Sequence, residues 1–148
     1  MNLKKYYDEI YWQREVLNNS IDKLNSDKRW FKERYDLLNR FVIPYLNSSM
    51  EVLEIGCAWG YLTSYIQKNT LTKVEGCDIA KGAIKRASKL FKKINFFFHD
   101  IEQKPTKKKY DAIILFGVLE HLFDYDIAIK NIYDSLNRGG YYSFKFHV

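Results

Sequence analysis

The sequence predicts an α/β fold built on a mostly parallel sheet, and two observations support this prediction. After residue 50, short apolar runs alternate with amphipathic segments of helical period. The first apolar run, 52–55, leads into a turn from Gly56 to Gly60, as at a strand-to-helix junction. Regular alternation of this kind is typical of a parallel sheet that helices cover on both faces.

The order of the elements divides the chain into two parts. Helices are predicted near 4–18 and 27–46; Pro44 bends or ends the second, and Asn47-Ser48-Ser49 is typical of a turn. Strands are then predicted at 52–55, 73–77, 94–98, 111–116 and 141–146, and helices at 60–68, 81–91 and 126–136. Residues 1–48 are therefore interpreted as a helical lid or cap segment, and residues 49–148 as the sheet domain.

Composition indicates a globular chain and argues against some functions. No apolar run among the 148 residues is long enough to span a bilayer, and the start lacks a signal-peptide core, so we expect a cytoplasmic protein. The net charge of +6 is scattered over the 81–93 and 104–109 segments, which is typical of solvated faces and makes nucleic-acid binding a weaker hypothesis. Cys57 and Cys77 show no zinc or disulfide pattern, so we expect two buried thiols and no metal site.

Candidate ligand-binding residues collect at the carboxyl ends of the predicted strands, where an open parallel sheet binds its ligands. The first strand ends at Glu54-Ile55-Gly56, and glycine there allows the backbone to approach a ligand. The second ends at Asp78, 22 residues after Gly56, where a βαβ unit places an acid for ribose hydroxyls. The third and fourth end at His99-Asp100-Ile101 and Phe116-Gly117. Together these ends predict one nucleotide-type site.

These motifs resemble those of the class I S-adenosylmethionine-dependent methyltransferases. Residues 52–60 are similar to the glycine-rich motif of that family, with Ala58 in place of the middle glycine. Residues 110–122 resemble the fourth-strand motif of the subgroup that includes ubiquinone and menaquinone biosynthesis enzymes, and residues 136–142 resemble the glycine turn before the fifth strand. The resemblance implies a Rossmann-like, doubly wound sheet of strand order 3-2-1-4-5. It also implies S-adenosylmethionine as the methyl donor and S-adenosylhomocysteine as the product.

The residues around the glycine turn favour this cofactor over a dinucleotide. A dinucleotide site presents a helix N-terminus and closely spaced glycines to a pyrophosphate. Here Ala58, Trp59 and Tyr61 crowd the turn, and Glu54 precedes it. The acid would repel a pyrophosphate, whereas the aminoacyl group and sulfonium of S-adenosylmethionine would not be repelled.

The resemblance implies a role for each candidate cofactor-binding residue. The expected set is Glu54, Gly56, Cys57, Ala58, Gly60, Asp78, Ile79, Asp100, Ile101, Phe116 and Gly117. Glu54 would organise the turn and the cofactor's amino group, Asp78 would hold the ribose hydroxyls, and Asp100 would accept from the adenine amino group. The two isoleucines would contact the adenine, and the Phe116-Gly117 pair would lie near the sulfonium. For both aspartates the alternative role is a helix cap or turn residue.

His121 is the candidate catalytic residue, because imidazole titrates near neutrality and the residue lies just past the fourth strand. A general base is needed only if the acceptor is a hydroxyl that must lose its proton. The alternative is that His121 braces the loop through a hydrogen bond. Tyr11 and Trp12 are candidates for a lid over the cofactor, with plain packing against the sheet as the alternative.

The sequence stops at Val148, inside or just beyond the fifth predicted strand, whereas the family's usual sheet has two further strands. We expect a fragment, a homodimer paired through the exposed fifth strand, or a shortened relative. Three functions therefore stand beside one another. They are methylation of a small-molecule acceptor, methylation of nucleic acid such as RNA, and S-adenosylmethionine binding or dimerisation without turnover.

Overall fold

The computed structural model describes Tyr6 and residues 28–145, apart from the side chains of residues 28–30, 144 and 145. The helix predicted near 4–18, with Tyr11 and Trp12, lies outside the described residues. The helices are α1 (Lys28–Phe41), α2 (Tyr61–Thr70), α3 (Lys81–Leu90) and α4 (Tyr125–Asp134), with short 3₁₀ turns at Ile43–Tyr45 and Leu119–His121. The strands are β1 (Glu51–Ile55), β2 (Lys73–Asp78), β3 (Asn95–Phe98), β4 (Tyr110–Phe116) and β5 (Leu136–Lys145).

The described strands form one sheet of order β3-β2-β1-β4-β5, in which every neighbouring pair is parallel. β1 is central: its Leu53 is in register with Glu75 of β2 and with Ile113 of β4. The predicted α/β class and the order 3-2-1-4-5 are confirmed. Because all strands point the same way, their carboxyl ends share one edge of the sheet, here called the carboxyl edge; the opposite end is the amino edge.

The two faces of the sheet pack against different helices. One face buries Val52 of β1 together with side chains of α1 and α2, among them Leu38 and Ile66. The other face buries Leu53 of β1 together with α4, which contributes Ile132. Successive strand residues point to opposite faces, and burial of each such aliphatic side chain stabilises the fold by about 1.5–3 kcal/mol.

Aromatic side chains hold α1 parallel to α2. Tyr35 stacks on Tyr65 with ring centroids 4.0 Å apart, and the Tyr65 hydroxyl donates to the side-chain oxygen of Asn39 at 3.0 Å. One turn earlier, Phe31 meets Tyr61 edge-on at 5.4 Å. Since Tyr61 opens α2 at the carboxyl edge, the start of α1 also lies at that edge.

The fifth strand begins earlier than predicted. The sequence pattern predicts a strand from Tyr141, but β5 begins at Leu136, directly after a correspondingly shorter α4. Residues 137–140 bulge opposite Asp111 of β4, where the register shifts, and Gly139 adopts a φ of +83°. The glycine turn expected before the fifth strand is therefore wrong in position, because these glycines form a bulge within the strand.

A polar network links four strands at the amino edge. Glu75 of β2 accepts hydrogen bonds from the Tyr110 hydroxyl at 2.7 Å and from the Asn95 side-chain amide at 2.8 Å. The Lys108 ammonium lies 3.2 Å from the same carboxylate and 3.0 Å from Glu51 of β1. The members come from β1, β2, β3 and the start of β4, so they tie the strand starts together.

Candidate functional site

The turn after β1 has the left-handed backbone that the glycine-rich pattern predicts. Gly56 and Gly60 have φ values of +74° and +79°. Ala58, which stands where the middle glycine was expected, is also left-handed, with φ +50°. This conformation costs a non-glycine residue about 1–2 kcal/mol. The turn thus keeps a glycine-like path despite the alanine, and the surrounding contacts must hold it there.

Backbone hydrogen bonds use up most of the donors that this turn carries. The Gly56 and Cys57 N–H groups donate to the Cys77 carbonyl at 2.8 and 3.0 Å, and the Gly60 N–H donates to the Cys57 carbonyl at 2.8 Å. A pyrophosphate needs such N–H groups pointing at it. The turn is therefore a poor pyrophosphate cradle, in agreement with the charge argument from the sequence.

Asp78, the last residue of β2, connects this turn to the start of α3. One carboxylate oxygen accepts from the Ala58 N–H at 2.9 Å, and the other accepts from the Ala80 N–H at 2.8 Å. The side chain is buried. The carboxylate thus lies at the carboxyl edge, between the β1 turn and the start of α3.

Glu54 lies beneath the turn. It is buried, and the Thr63 hydroxyl of α2 donates a hydrogen bond to its carboxylate. Burial, reinforced by the negative charge of Asp78, raises the pKa of Glu54 to about 7. Glu54 therefore supports the turn from below, and it sits where its charge responds to pH near neutrality.

The sequence pattern did not predict one contact that holds the turn in place, the packing of Trp59 on α3. Trp59 is buried against Ala80 and Ala83 at the start of α3, and the Arg86 guanidinium lies 3.9 Å from its ring centroid. From sequence, Arg86 was one of several cations assigned to a solvated helix face. A cation at this distance over an indole face is attracted by the ring, and it packs the residue next to Ala58 against α3.

The candidate residues at the end of β3 differ in burial. Asp100 is half-buried, and its side chain accepts from the Glu102 N–H at 3.1 Å. Ile101 is buried in the core on the α4 side, so its side chain supports the edge from within. The His99 ring nitrogen contacts the Lys104 carbonyl oxygen at 3.0 Å, and burial lowers the pKa of His99.

The segment after β4 closes over the turn of β1. Gly117 adopts φ +66°, and the following Val118 packs so tightly on Gly56 that an added Cβ there would overlap its methyl group. Phe116 is half-buried against the core on the α1 and α2 side. His121 is exposed at the end of the 3₁₀ turn, and its backbone N–H donates to the Val118 carbonyl at 2.9 Å.

The strand ends therefore bring most of the predicted residues to one edge. The turn of β1, Asp78 and the Gly117 segment are joined by the contacts above, Ile79 is half-buried directly after Asp78, and Cys57 is a buried thiol. A family model described as a methyltransferase domain matches residues 25–146. The chain belongs to the class I S-adenosylmethionine-dependent methyltransferases.

Curated relatives of this chain are methyltransferases named for different reactions. Over 109 residues the chain is 28% identical to malonyl-[acyl-carrier protein] O-methyltransferase of Priestia megaterium, covering 72% of this chain and 40% of the relative. It is 29% identical over 128 residues to the mitochondrial ubiquinone biosynthesis O-methyltransferase of Candida albicans, covering 78% and 36%. The chain thus spans about two fifths of the length of these curated relatives.

Solved structures of methyltransferases share the fold. The N-methyltransferase NodS of Bradyrhizobium japonicum WM9, in complex with S-adenosylhomocysteine, matches with a TM-score of 0.65 and 30% identity, covering 76% of this chain and 60% of NodS. A second NodS structure matches with a TM-score of 0.67 over 80% of this chain and 68% of that one, also at 30% identity.

The donor set of this methyltransferase domain fits the family's cofactor. Glu54 and Asp78 place two carboxyl groups at a turn whose own N–H groups are mostly hydrogen-bonded already, and Asp100 adds a third at the end of β3, along the same edge. Acceptors and negative charge suit a ligand with hydroxyls, amino groups and a sulfonium. Residues 28–145 contain no cluster of His, Cys, Asp and Glu side chains that could hold a metal ion, and no helix among them is long and apolar enough to cross a membrane.

Proposed function

We propose that this chain binds S-adenosylmethionine at the carboxyl edge and serves methyl transfer to a small-molecule acceptor, with S-adenosylhomocysteine as the product. The observation that carries the proposal is the position of Asp78. Its carboxylate lies at the carboxyl edge and bridges the β1 turn and the start of α3 through two backbone N–H groups. Such a carboxylate suits the paired hydroxyls of a ribose.

In this proposal the other candidate residues contact the remaining parts of the cofactor. Gly56, Cys57, Ala58 and Gly60 supply the backbone beside the methionine part, and Glu54 supports them. Asp100 accepts from the adenine amino group, with Ile79 beside the ring. The burial of Ile101 in the core suggests that its side chain supports Asp100 and has little surface left for the adenine.

Bound S-adenosylmethionine would supply a methyl group on a positively charged sulfur, which is a good leaving group. The protein's task is then to orient the cofactor and keep water away. Phe116, Gly117 and Val118 follow one another at the end of β4, and the contact of Val118 with Gly56 closes that side of the β1 turn. The exposed His121 is the candidate base for a hydroxyl acceptor.

The acceptor class rests on the relatives. One is named for the methylation of malonyl-[acyl-carrier protein], another for ubiquinone biosynthesis, and a third is a probable fatty acid methyltransferase of Pseudomonas putida. These names favour a small organic acceptor group for this chain. Transfer of a labelled methyl group to RNA, and not to small molecules, would contradict this choice.

Titration calorimetry with S-adenosylhomocysteine tests the site. Asp78→Asn removes the charge and one acceptor oxygen, and hydrogen bonds to charged groups contribute about 1.5–3 kcal/mol. We therefore expect the affinity to fall about 10-fold to 100-fold. Asp126→Asn is the matched control, because Asp126 is an exposed acid in the first turn of α4, and its affinity should match the wild type.

Circular dichroism of each variant separates binding from folding. A folded Asp78→Asn variant with wild-type affinity would overturn the assignment, and so would a folded wild-type chain that does not bind S-adenosylhomocysteine. If Asp78→Asn does not fold, Asp100→Asn decides the question, because the side chain of Asp100 is half-buried and accepts a local hydrogen bond from the Glu102 N–H, two residues along the chain. We expect weaker binding from that variant as well, and unchanged binding would contradict the proposal.

A further inference from the structure

A carboxylate from the turn after β3 holds the loop that connects β4 to α4. One oxygen of the Glu102 side chain accepts hydrogen bonds from two consecutive backbone N–H groups, those of Phe123 and Asp124, both at 2.8 Å. Hydrogen bonds to an ionised carboxylate are roughly twice as strong as those between neutral groups. The carboxylate also lies at the start of α4, where the helix dipole favours negative charge. Glu102 therefore fixes the last two residues before that helix.

The turn that carries Glu102 is itself held in place. The Glu102 N–H donates to the Asp100 side chain at 3.1 Å, and the Gln103 N–H donates to the Asp100 carbonyl at 3.2 Å, so Asp100 organises a tight turn. Within this turn Ile101 is buried in the core, and its carbonyl accepts from the buried Asn131 side chain of α4 at 2.7 Å. Polar contacts thus join the turn at 100–103 both to the start of α4 and to its middle.

The loop after β4, residues 117–124, is held at its other end by the β1 turn. There Val118 packs on Gly56, whereas Glu102 holds Phe123. His121 lies three residues after the first contact and two residues before the second. A chain extends at most about 3.6 Å per residue, so His121 stays within about 11 Å of either contact along the chain. The loop therefore runs from the turn assigned to the methionine part of the cofactor to the turn assigned to the adenine, with His121 between them.

We propose that Glu102 is a positioning residue, which fixes the loop of residues 117–124 so that His121 stays beside the cofactor site. This inference rests on the proposed function, because Asp100 and His121 have their roles only if S-adenosylmethionine binds at the carboxyl edge. Glu102 acts through the oxygen that accepts from the loop, and a neutral side-chain oxygen at the same place can accept the same two hydrogen bonds. The role therefore depends on the acceptor and its reach more than on the negative charge.

Three variants separate the acceptor from the charge. Glu102→Ala removes both, whereas Glu102→Gln keeps a carbonyl oxygen at the same chain length and removes only the charge. Asp126→Ala is the matched control, because it removes an exposed negative charge from the first turn of the same helix. An effect of charge alone would appear in all three variants, whereas a positioning effect should appear in Glu102→Ala and be largely restored in Glu102→Gln.

Amide hydrogen exchange of the full chain without ligand measures how firmly the loop is held. The His121 and Leu122 N–H groups donate to backbone carbonyls of the same loop, at 2.9 and 3.1 Å. Exchange at these two amides should become about 10-fold to 100-fold faster in Glu102→Ala, the size expected for the loss of a hydrogen bond to a charged group. Most of the protection should return in Glu102→Gln, and Asp126→Ala should stay within about 3-fold of the wild type.

The NMR signal of the His121 imidazole, assigned by its absence from His121→Gln, connects the loop to the proposed cofactor site. Addition of S-adenosylhomocysteine should shift this signal in the wild type, in Glu102→Gln and in Asp126→Ala. In Glu102→Ala the ligand should still bind by titration calorimetry, but the shift should be lost because the loop no longer holds His121 beside the site. A contribution of Glu102 to folding alone would leave this response of the folded chain unchanged.

The outcomes that overturn this inference differ from those that overturn the proposed function. A folded wild type that does not bind S-adenosylhomocysteine removes the proposed function and the inference with it. Where the wild type binds, an equal shift of the His121 signal in Glu102→Ala, or unchanged loop exchange in that variant, overturns the inference alone. Equal effects in Glu102→Ala and Asp126→Ala do the same. Circular dichroism checks folding, and if Glu102→Ala does not fold, Glu102→Asp replaces it, because its carboxylate is one methylene too short to reach the loop.

Discussion

Replacement of Gly60 by alanine should destabilise the fold more than replacement of any exposed glycine. Gly60 has φ +79°, and an added Cβ would lie 2.5 Å and 2.7 Å from two atoms of the Phe96 ring and 3.3 Å from the Ala87 Cβ. The left-handed backbone costs alanine about 1–2 kcal/mol, and overpacking costs about 1–3 kcal/mol. The sum is a loss of about 2–5 kcal/mol in the free energy of unfolding.

Two other glycines separate these contributions. Gly139 also has a left-handed φ, +83°, but nothing lies within 4 Å of an added Cβ. Gly139→Ala should therefore lose only the backbone part, about 1–2 kcal/mol. Gly82 lies in α3 with no left-handed φ and equally open space, so Gly82→Ala should gain up to about 1 kcal/mol from reduced chain entropy.

Urea unfolding of the three variants, fitted for midpoint and slope, measures these differences. We expect the order of stability Gly82→Ala, wild type, Gly139→Ala, Gly60→Ala. If Gly60→Ala is no less stable than Gly139→Ala, then the overlap with the Phe96 ring does not lower the free energy of unfolding, and our reasoning about overpacking is wrong. In that case glycine is needed at position 60 only for its left-handed φ and for the close approach of a bound ligand.

Two further predictions concern the carboxyl groups. Native Glu54 keeps its proton up to about pH 7, while the unfolded chain loses it near the ordinary value of 4.5, so the native state binds more protons between these values. The free energy of unfolding should therefore fall by about 3 kcal/mol as the pH rises through that window. Urea unfolding at several pH values measures this fall. It should nearly disappear in Glu54→Gln and should persist in the control, Glu51→Gln. Tyr110→Phe deletes the 2.7 Å hydrogen bond to Glu75 and should cost about 1.5–3 kcal/mol by thermal or urea unfolding; a loss below a few tenths of a kcal/mol would show that Lys108 and Asn95 satisfy Glu75 without it.

The order of strands and helices could be predicted because local pattern and tertiary packing agree over most of the chain. β1 carries apolar side chains on both faces, as is typical of a central parallel strand, and the structure buries Val52 and Leu53 on opposite sides. The turn at 47–49 was also predicted correctly: the Ser49 N–H donates to the Asn47 side chain at 3.0 Å. The two cysteines are buried free thiols, as expected.

The start of β5 could not be predicted, because its glycines are compatible with two structures. Gly139 and Gly140 indicate a turn when read alone, and only pairing with β4 places them in a bulge opposite Asp111. Pairing between residues more than twenty positions apart is not visible in local periodicity. The same limit explains why the sequence pattern assigned residues 135 and 136 to a helix.

The candidate site could be outlined from the sequence, but its supports could not. Asp78 follows from strand position and spacing, whereas the stacking of Arg86 on Trp59 depends on which cation of α3 points back to the sheet. Likewise, no spacing rule links Val118 to Gly56 or Thr63 to Glu54, since these contacts arise from the meeting of different elements. The expected cofactor contacts remain predictions that the titrations above test.

The network around Glu75 aligns the strands at the amino edge, whereas the candidate ligand site lies at the carboxyl edge. Its hydrogen bonds and ion pairs join four strands at the amino edge, away from the β1 turn and Asp78. Strand alignment therefore does not depend on the residues that would recognise a ligand. We expect the exposed positions of the carboxyl edge, unlike Gly60 and the buried Glu54, to tolerate sequence change during evolution or laboratory selection, so that new acceptors can be explored while the scaffold stays assembled.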